Sequence, residues 1–177
     1  MNPDRDLDLD VAKFDYLWPK AYPYYSKIPL ITKFARKLIA DDIIQTGQLF
    51  EKALEVECKL VRESTTGRDF ENTVVNGQTV AGQDAKLVVA RTHGHGKVYG
   101  APVTNIHAKV GELLVAVYER KQQNWYLFRI PYKAYKNIPK TSNIDIPFNL
   151  DGTPRRENRC DVNWWAYEVP TFKALKG

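Results

Sequence analysis

The chain has little of what several protein classes depend on. Cys58 and Cys160 are its two cysteines, and it carries three histidines and one methionine. Two cysteines are too few for a disulfide scaffold or a cysteine zinc site, so we expect two free thiols. No apolar run reaches the roughly 18 residues of a membrane-spanning helix, and no basic-then-apolar leader opens the sequence. These absences predict a cytoplasmic protein with no membrane partner.

The composition is that of one soluble domain with an uneven distribution of charge. Of 177 residues, 44% are hydrophobic and 27% are charged, and the net charge is +5. Between Lys86 and Lys140 ten basic residues stand against two acids, Glu112 and Glu119. The first ten residues instead carry four aspartates against one arginine. A basic region of this kind favours a polyanionic partner such as DNA.

Apolar spacing predicts that helices come first in the chain. Residues 1–13 are polar and acidic and predict a loose arm, and two prolines predict that any helix over 15–25 is short. Pro29 suits the first position of a helix whose apolar residues follow at helical spacing. Those residues are Leu30, Phe34, Leu38 and Ile39. A second helix is predicted over 48–62, where the apolar stripe is broad.

After residue 66 the pattern changes to that of strands. The pair Asn76-Gly77 lies between two short apolar pieces and predicts a hairpin over 72–82. Further predictions, in chain order, are a central buried strand at 87–91, antiparallel strands at 112–120 and 124–131, a helical turn at 132–135, an irregular surface loop over 138–159, and a last aromatic strand or docking segment at 162–169. Helices followed by a mixed sheet indicate an α+β fold.

One acid and one acid-x-lysine triplet suit a divalent-metal phosphodiesterase site. Asp69 lies in a polar loop, and Asp84-Ala85-Lys86 enters the apolar segment that begins at Leu87. Two carboxylates hold a hard cation through oxygen, and a lysine steadies the attacking water or the developing charge. One alternative is that Asp84 and Lys86 are solvated residues at a strand entrance and form no functional site. Another takes Asp84 as the first acid and Glu119-Arg120-Lys121 as the triplet; we rank it lower because strand ends at turns are mostly solvated.

The segment Thr92-His93-Gly94-His95-Gly96 allows three interpretations. Histidines at i and i+2 of an extended chain face the same side and can ligate a transition metal, although no third ligand is evident. They can instead donate to guanine or adenine acceptors in the major groove of DNA. The segment can also be a flexible basic loop. Nearby, Arg91 and Lys97 are candidate phosphate contacts, with surface solubility as their alternative.

The order of these features resembles the PD-(D/E)XK nuclease superfamily. Within it the chain is similar to the small homodimeric type II restriction endonucleases of the Pvu type. The resemblance covers roughly residues 18–135, and its pieces are YLWPKAY, ADDIIQTGQLFEKAL, GRDFEN, GQDAK, RTHGHG, KVGELLVAVYE and NWYLFRIPYKAY. The spacing from Gly47 to Asp69 also fits that family. Arg68 in place of proline and Asp84 in place of glutamate are departures from the closest pattern.

The resemblance implies a function and a set of residues. Asp69 and Asp84 would hold Mg²⁺, and Lys86 would stand beside the attacking water. His93 and His95 would read base edges, while Gln45 and Thr46 would lie near the minor groove and the subunit interface. The implied protein is a restriction-endonuclease-like homodimer that cuts a short palindrome in double-stranded DNA.

The expected organisation is a single nuclease domain over 1–177. In it, residues 1–46 would form the dimerisation part, and 47–177 would form the catalytic and DNA-recognition part with a central mixed sheet. The rivals are a non-catalytic DNA-binding or interaction protein on a nuclease-like fold, a nonspecific or repair nuclease, and a histidine-metal hydrolase.

Overall fold

The computed structural model describes residues 6–62, 70, 73–75, 78–80, 82–107, 111–157 and 162–176. They belong to two compact units, one up to Leu60 together with Lys176, and one from Val61 to Leu175. The division therefore falls after the last N-terminal helix, whereas the sequence suggested a functional division at residues 46 and 47. No helix in this part of the chain is long and apolar enough to cross a membrane.

The first unit consists of helices α1 (Leu7–Ala21), α2 (Pro29–Ala40) and α3 (Thr46–Glu57), with a 3₁₀ turn at Tyr25–Lys27. Helix α1 packs against both other helices. Its core is apolar and consists of Phe14, Leu17, Trp18, Ala21, Ala35, Ile39, Leu49, Phe50, Ala53, Leu54 and Cys58. The stripe predicted for the helix at 48–62 is thus confirmed up to Cys58, but the helix ends at Glu57 and Val61 is exposed. Cys58 is a free thiol, as expected, and Cys160 lies outside the described residues.

Helix α1 corrects the prediction of a loose arm over 1–13. The side chain of Asp6 accepts a hydrogen bond of 3.2 Å from the Leu9 amide and so caps the first turn. Asp8 and Asp10 lie in that turn, where a negative charge interacts favourably with the helix dipole. Pro19 falls in the last turn, so the helix is longer than its prolines suggested. The acidic residues that looked like a solvated tail are the start signal of a helix.

Helix α2 begins at Pro29 as predicted, but its apolar residues do not all face the core. Ala35 and Ile39 are buried, whereas Leu30 is 79% exposed and Phe34 is 63% exposed. The helical spacing was predicted correctly, but these two residues of the stripe face solvent. Their exposure leaves an apolar patch on the surface of the first unit.

The described residues of the second unit form three sheets. Strands β1 (Thr73–Val75) and β2 (Gln78–Val80) form the predicted antiparallel hairpin, whose turn residues Asn76 and Gly77 lie outside the described residues. A four-stranded sheet has the order β3 (Gln83–Val89), β6 (Glu112–Glu119), β7 (Asn124–Ile130) and β9 (Glu168–Val169). Strands β3 and β6 are parallel and the other pairs are antiparallel, so this sheet is mixed.

The third sheet is antiparallel, with the order β4 (Arg91–His93), β5 (Val98–Val103) and β8 (Ile144–Phe148). Helix α4 (Tyr132–Tyr135) is the predicted helical turn. The three- and four-stranded sheets share one apolar core with the 3₁₀ turn at Trp164–Tyr167. Tyr99, Trp164 and Trp165 are buried in this core. Helices followed by a mixed sheet confirm the α+β class.

Three predictions for this unit are corrected. Among the described strands β3 has β6 as its one neighbour and is half-buried beyond Asp84, so in the described part of the sheet it lies at the edge and not at the centre. The segment 138–159, expected to be irregular, contains β8, in which alternate residues are buried. Pro147 hid this strand in the sequence, because proline within a strand is normally confined to a sheet edge. The segment 162–169 is mostly a 3₁₀ turn, followed by the two-residue strand β9.

Candidate functional site

The candidate site begins where the chain enters β3. Phe70 pairs antiparallel with Gln83 through two backbone hydrogen bonds, of 3.0 and 3.2 Å. In the sequence Phe70 directly follows Asp69, and Gln83 directly precedes Asp84. Asp69 itself lies outside the described residues. The bridge nevertheless brings the residue after the first predicted acid alongside the residue before the second.

Asp84 and Lys86 form a sheltered ion pair. They lie two residues apart on β3 and therefore project from the same face of the sheet. The Lys86 ammonium is 2.9 Å from Asp84 Oδ2, and their side chains are 20% and 8% exposed. The alternative of two solvated side chains at a strand entrance does not describe this pair. An acid and an amine held together with little water can bind a cation and position a nucleophile.

Two residues that the sequence analysis overlooked lie near this end of the sheet. The hydroxyl of the fully buried Tyr135 donates to the carbonyl of Gly111, directly before β6. Burial, and to a smaller extent the charge of Asp84, raises the pKa of Tyr135 to about 12. The His107 ring lies 6.0 Å from the Tyr135 ring, and its buried Nε2 has no hydrogen-bond partner among the described residues. Tyr135 ends a segment quoted for the nuclease resemblance, but no pattern in the sequence gave it or His107 a role at the site.

An ion pair on the neighbouring strands holds the start of β6. Arg129 Nε is 2.5 Å from Glu112 Oε2, and its Nη2 donates to Oε1 at 2.8 Å. Glu112 is the register partner of the buried Gln83. Both charges are thus already paired at the strand end nearest the site. Glu112 and Arg129 support the position of β3 and need no catalytic role.

The alternative site at Glu119 is wrong on geometric grounds. Asp84 pairs with Leu113 at the start of β6, whereas Glu119 ends that strand, roughly 20 Å further along. Glu119 is also fully buried and not solvated as we expected. Its carboxylate accepts from the Tyr99 hydroxyl and from the amides of Lys121 and Gln122, the last two at 2.7 and 2.6 Å. It is a structural anchor for the β6–β7 turn.

The predicted histidine loop is the tip of a β-hairpin. Arg91 and His93 belong to β4, and the turn to β5 has His95 at φ 58° and Gly96 at φ 80°. The Lys97 amide donates to the Gly94 carbonyl at 3.3 Å, and these angles are those of a type I′ turn. Arg91, His93, His95 and Lys97 are all exposed. The hairpin therefore carries the four predicted DNA contacts of this unit on one projecting element.

His93 has one specific partner, which the sequence did not indicate. Its Nε2 is 3.1 Å from Asp145 Oδ2 on β8, across the middle strand of the sheet. Among the described residues, no three histidine, cysteine or acidic side chains gather as a metal-binding group. The interpretation of His93 and His95 as metal ligands therefore gains no support there.

The remaining predicted contacts lie in the helical unit. Gln45 is the N-cap residue of α3 and is exposed, and Thr46 is the first residue of that helix. The side chain of Gln45 makes no capping hydrogen bond. It thus has no evident structural task at this helix end.

Comparison with known proteins identifies no relative. No protein-family model matches the chain, and no curated protein or solved structure is significantly similar to it. The functional argument therefore depends on the residues and their geometry.

Proposed function

We propose that the protein is a Mg²⁺-dependent type II restriction endonuclease, which hydrolyses the phosphodiester of double-stranded DNA by attack of water. The observation that supports this proposal best is the sheltered pair of Asp84 and Lys86, 2.9 Å apart. The bridge between Phe70 and Gln83 adds that the chain next to Asp69 runs beside this pair. Two acids and a lysine in this order are what the nuclease resemblance requires.

The donor set fits Mg²⁺ better than a transition metal. Mg²⁺ keeps several waters and is held by one or two carboxylates together with substrate phosphates. A site built from Asp69 and Asp84 needs no third protein ligand, so it is compatible with the lack of a three-ligand group among the described residues. When bound there, Mg²⁺ would polarise the phosphate and lower the pKa of a coordinated water.

Lys86 is the residue on this chain that can act on the water. Its ammonium is mostly shielded from solvent and points at Asp84, so it lies beside any group that this carboxylate binds. There it orients the nucleophile and balances the charge that accumulates on the phosphate during in-line attack. Water is thereby activated without a covalent intermediate.

The β4–β5 hairpin is the proposed DNA-reading element. A two-stranded ribbon fits the major groove of B-DNA, where base pairs present distinct patterns of donors and acceptors. His93 and His95 are proposed to contact base edges, and Arg91 and Lys97 to contact phosphates. Gln45 and Thr46 are proposed to face the minor groove.

A palindromic target requires two active sites related by two-fold symmetry, and hence a homodimer. We assign the interface to the exposed apolar surface of the helical unit. A groove of about 550 Å³ is lined there by Leu7, Val11, Leu30 and Phe34 and is flanked by the basic residues of α2. An apolar patch rimmed by charge is typical of a protein–protein contact.

The test uses plasmid DNA with Mg²⁺, with EDTA as the control. The wild type is expected to give discrete bands, whereas Asp84→Ala should abolish cleavage and leave DNA binding measurable with Ca²⁺ in place of Mg²⁺. Glu168→Gln is the matched control, because it also removes an ion-paired carboxylate, one that is partly exposed and is not part of the proposed interface. It should cut like the wild type.

Other outcomes distinguish the rivals. A smear would indicate a nonspecific or repair nuclease, and DNA binding without cleavage would favour a non-catalytic binding protein. Full Mg²⁺-dependent activity of Asp84→Ala would refute the assignment of the site. Loss of bound metal from His93→Ala would favour a histidine-metal hydrolase, because a residue that reads bases holds no metal.

A further inference from the structure

The contact between His93 and Asp145 depends on a glycine that lies between them. The three-stranded sheet pairs His93 with Val98, and Asp145 with Pro102. Gly100 lies between those two partners on the middle strand, on the same face. A Cβ at Gly100 would lie only 2.6 and 2.7 Å from the two Asp145 carboxylate oxygens. The carboxylate thus occupies the space that any other residue would fill, and from there it reaches the histidine.

The Asp145 carboxylate that accepts this hydrogen bond lacks a partner for its second oxygen among the described residues. Asp145 Oδ1 is buried and has no hydrogen-bond partner among the described residues, while Oδ2 accepts from His93. A buried polar atom without a partner costs free energy, and such atoms in native proteins call for a functional or structural reason. The Asp145 carboxylate is therefore held beside the His93 ring at a cost in free energy.

We infer that Asp145 is a positioning residue that fixes His93 for base reading, an inference that rests on the proposed function. A carboxylate only accepts, so the hydrogen of the neutral imidazole must be on Nε2. Nδ1 then remains as an acceptor on a side chain that is 42% exposed. In the major groove an acceptor pairs with the amino group of adenine N6 or cytosine N4. With a neutral ring, His93 would therefore accept from an amino-bearing base and would not donate to a guanine acceptor.

Whether Asp145 fixes the tautomer of His93 can be tested without DNA. Long-range ¹⁵N–¹H spectra distinguish the two neutral tautomers, and the chain has three histidines, so His93→Asn assigns the signal. At alkaline pH, where histidine is neutral, the wild type should show His93 with its proton on Nε2. Asp145→Ala and Gly100→Ala should give a mixture of tautomers. Asp145→Asn should also weaken the preference, because its amide can turn either its carbonyl or its NH2 group toward Nε2. Asp151→Ala is the control acid. An unchanged tautomer in Asp145→Ala would overturn the inference.

The second measurement asks for a change in base preference. Duplexes with random sequence are selected with Ca²⁺ in place of Mg²⁺ and then sequenced, for the wild type, Asp145→Ala and Asp145→Asn. Asp145→Ala should lose about tenfold or more of its discrimination at one symmetry-related pair of positions, since a good base contact contributes about 1–3 kcal/mol. Asp145→Asn should lose discrimination at the same pair of positions, because its amide does not fix the tautomer of His93. Equal loss at every position, or no loss, would contradict positioning.

The two measurements separate this inference from the proposed function. If the wild type selects no sequence, both the restriction function and the base-reading role of His93 are refuted. The tautomer spectra then still decide whether Asp145 holds the ring. A wild type that selects a sequence while Asp145→Ala selects the same sequence equally well refutes the positioning role alone.

Discussion

Replacing Glu119 by alanine should destabilise the protein strongly and not act on catalysis directly. The side chain is fully buried, and its carboxylate accepts three hydrogen bonds, from Tyr99 and the two turn amides. The variant leaves these donors without a partner in the interior. We therefore expect unfolding to be the first consequence of the substitution.

The magnitude follows from those contacts. A hydrogen bond to a charged group contributes about 1.5–3 kcal/mol, and removing one partner of a buried charged network costs about 3–5 kcal/mol. Glu119→Ala should therefore lower the free energy of unfolding by about 3–5 kcal/mol, a large part of the 5–15 kcal/mol typical of a domain. Gly152→Ala tests the same site from the other side. Its Cβ would lie 2.6 Å from Glu119 Oε2, at a φ of +91° that disfavours any side chain, so a loss of about 1–3 kcal/mol is expected.

Urea unfolding followed by circular dichroism measures these differences. Glu168→Ala is the control, because its ion pair with Arg156 is partly exposed and should contribute less than about 1 kcal/mol. A loss below about 1 kcal/mol in Glu119→Ala would refute the argument from burial. If that stable variant also lost Mg²⁺-dependent cleavage, the conclusion that Glu119 has a purely structural role would be contradicted.

Two further predictions concern Tyr135 and the helical surface. The pKa of Tyr135 is raised to about 12 by burial and by Asp84, against about 10 in the unfolded chain. Below pH 10 the Tyr135 hydroxyl is protonated in both the folded and the unfolded state. The free energy of unfolding therefore falls only as the pH rises from 10 to 12, by about 2.7 kcal/mol. Tyr135→Phe should lack this part of the loss in urea titrations between pH 8 and 11.5; an identical slope to the wild type would contradict it. Phe34→Glu should convert the proposed dimer to a monomer in sedimentation velocity, because it places a charge in the apolar groove. Val61→Glu, at an exposed apolar residue outside that groove, should remain dimeric, and a dimeric Phe34→Glu would exclude this interface.

Local signals were sufficient for part of the fold. The stripe of α3 and the apolar runs of β6 and β7 predicted those elements, because each signal lies within a contiguous segment of the sequence. Strand β8 was missed because its partner β5 lies about forty residues earlier and its own pattern is broken by Pro147. The length of α1 was missed because Asp6, Asp8 and Asp10 were interpreted as charge and not as a helix start. Non-local pairing and caps carry little signal in a single sequence.

The candidate site divides in the same way. Asp84 and Lys86 are neighbours in sequence, so their pairing in space follows from strand geometry. The hydrogen bond between His93 and Asp145 joins residues fifty-two positions apart in the sequence and depends on the small size of Gly100. No local pattern in the sequence indicates it. The burial of Glu119 was also hidden, since its three donors come from a turn and from a different sheet.

The proposed catalytic pair and the proposed DNA-reading hairpin lie on one uninterrupted piece of chain. Strand β3 ends at Val89 and β4 begins at Arg91, with the buried Ala90 between them, whose amide is held by the Tyr118 carbonyl at 3.0 Å. From Lys86 to His93 the backbone spans seven residues, which is at most roughly 25 Å. No flexible loop separates the two ends of this segment. In the proposed nuclease, the length of this segment therefore limits the distance between the base that is read and the bond that is cut.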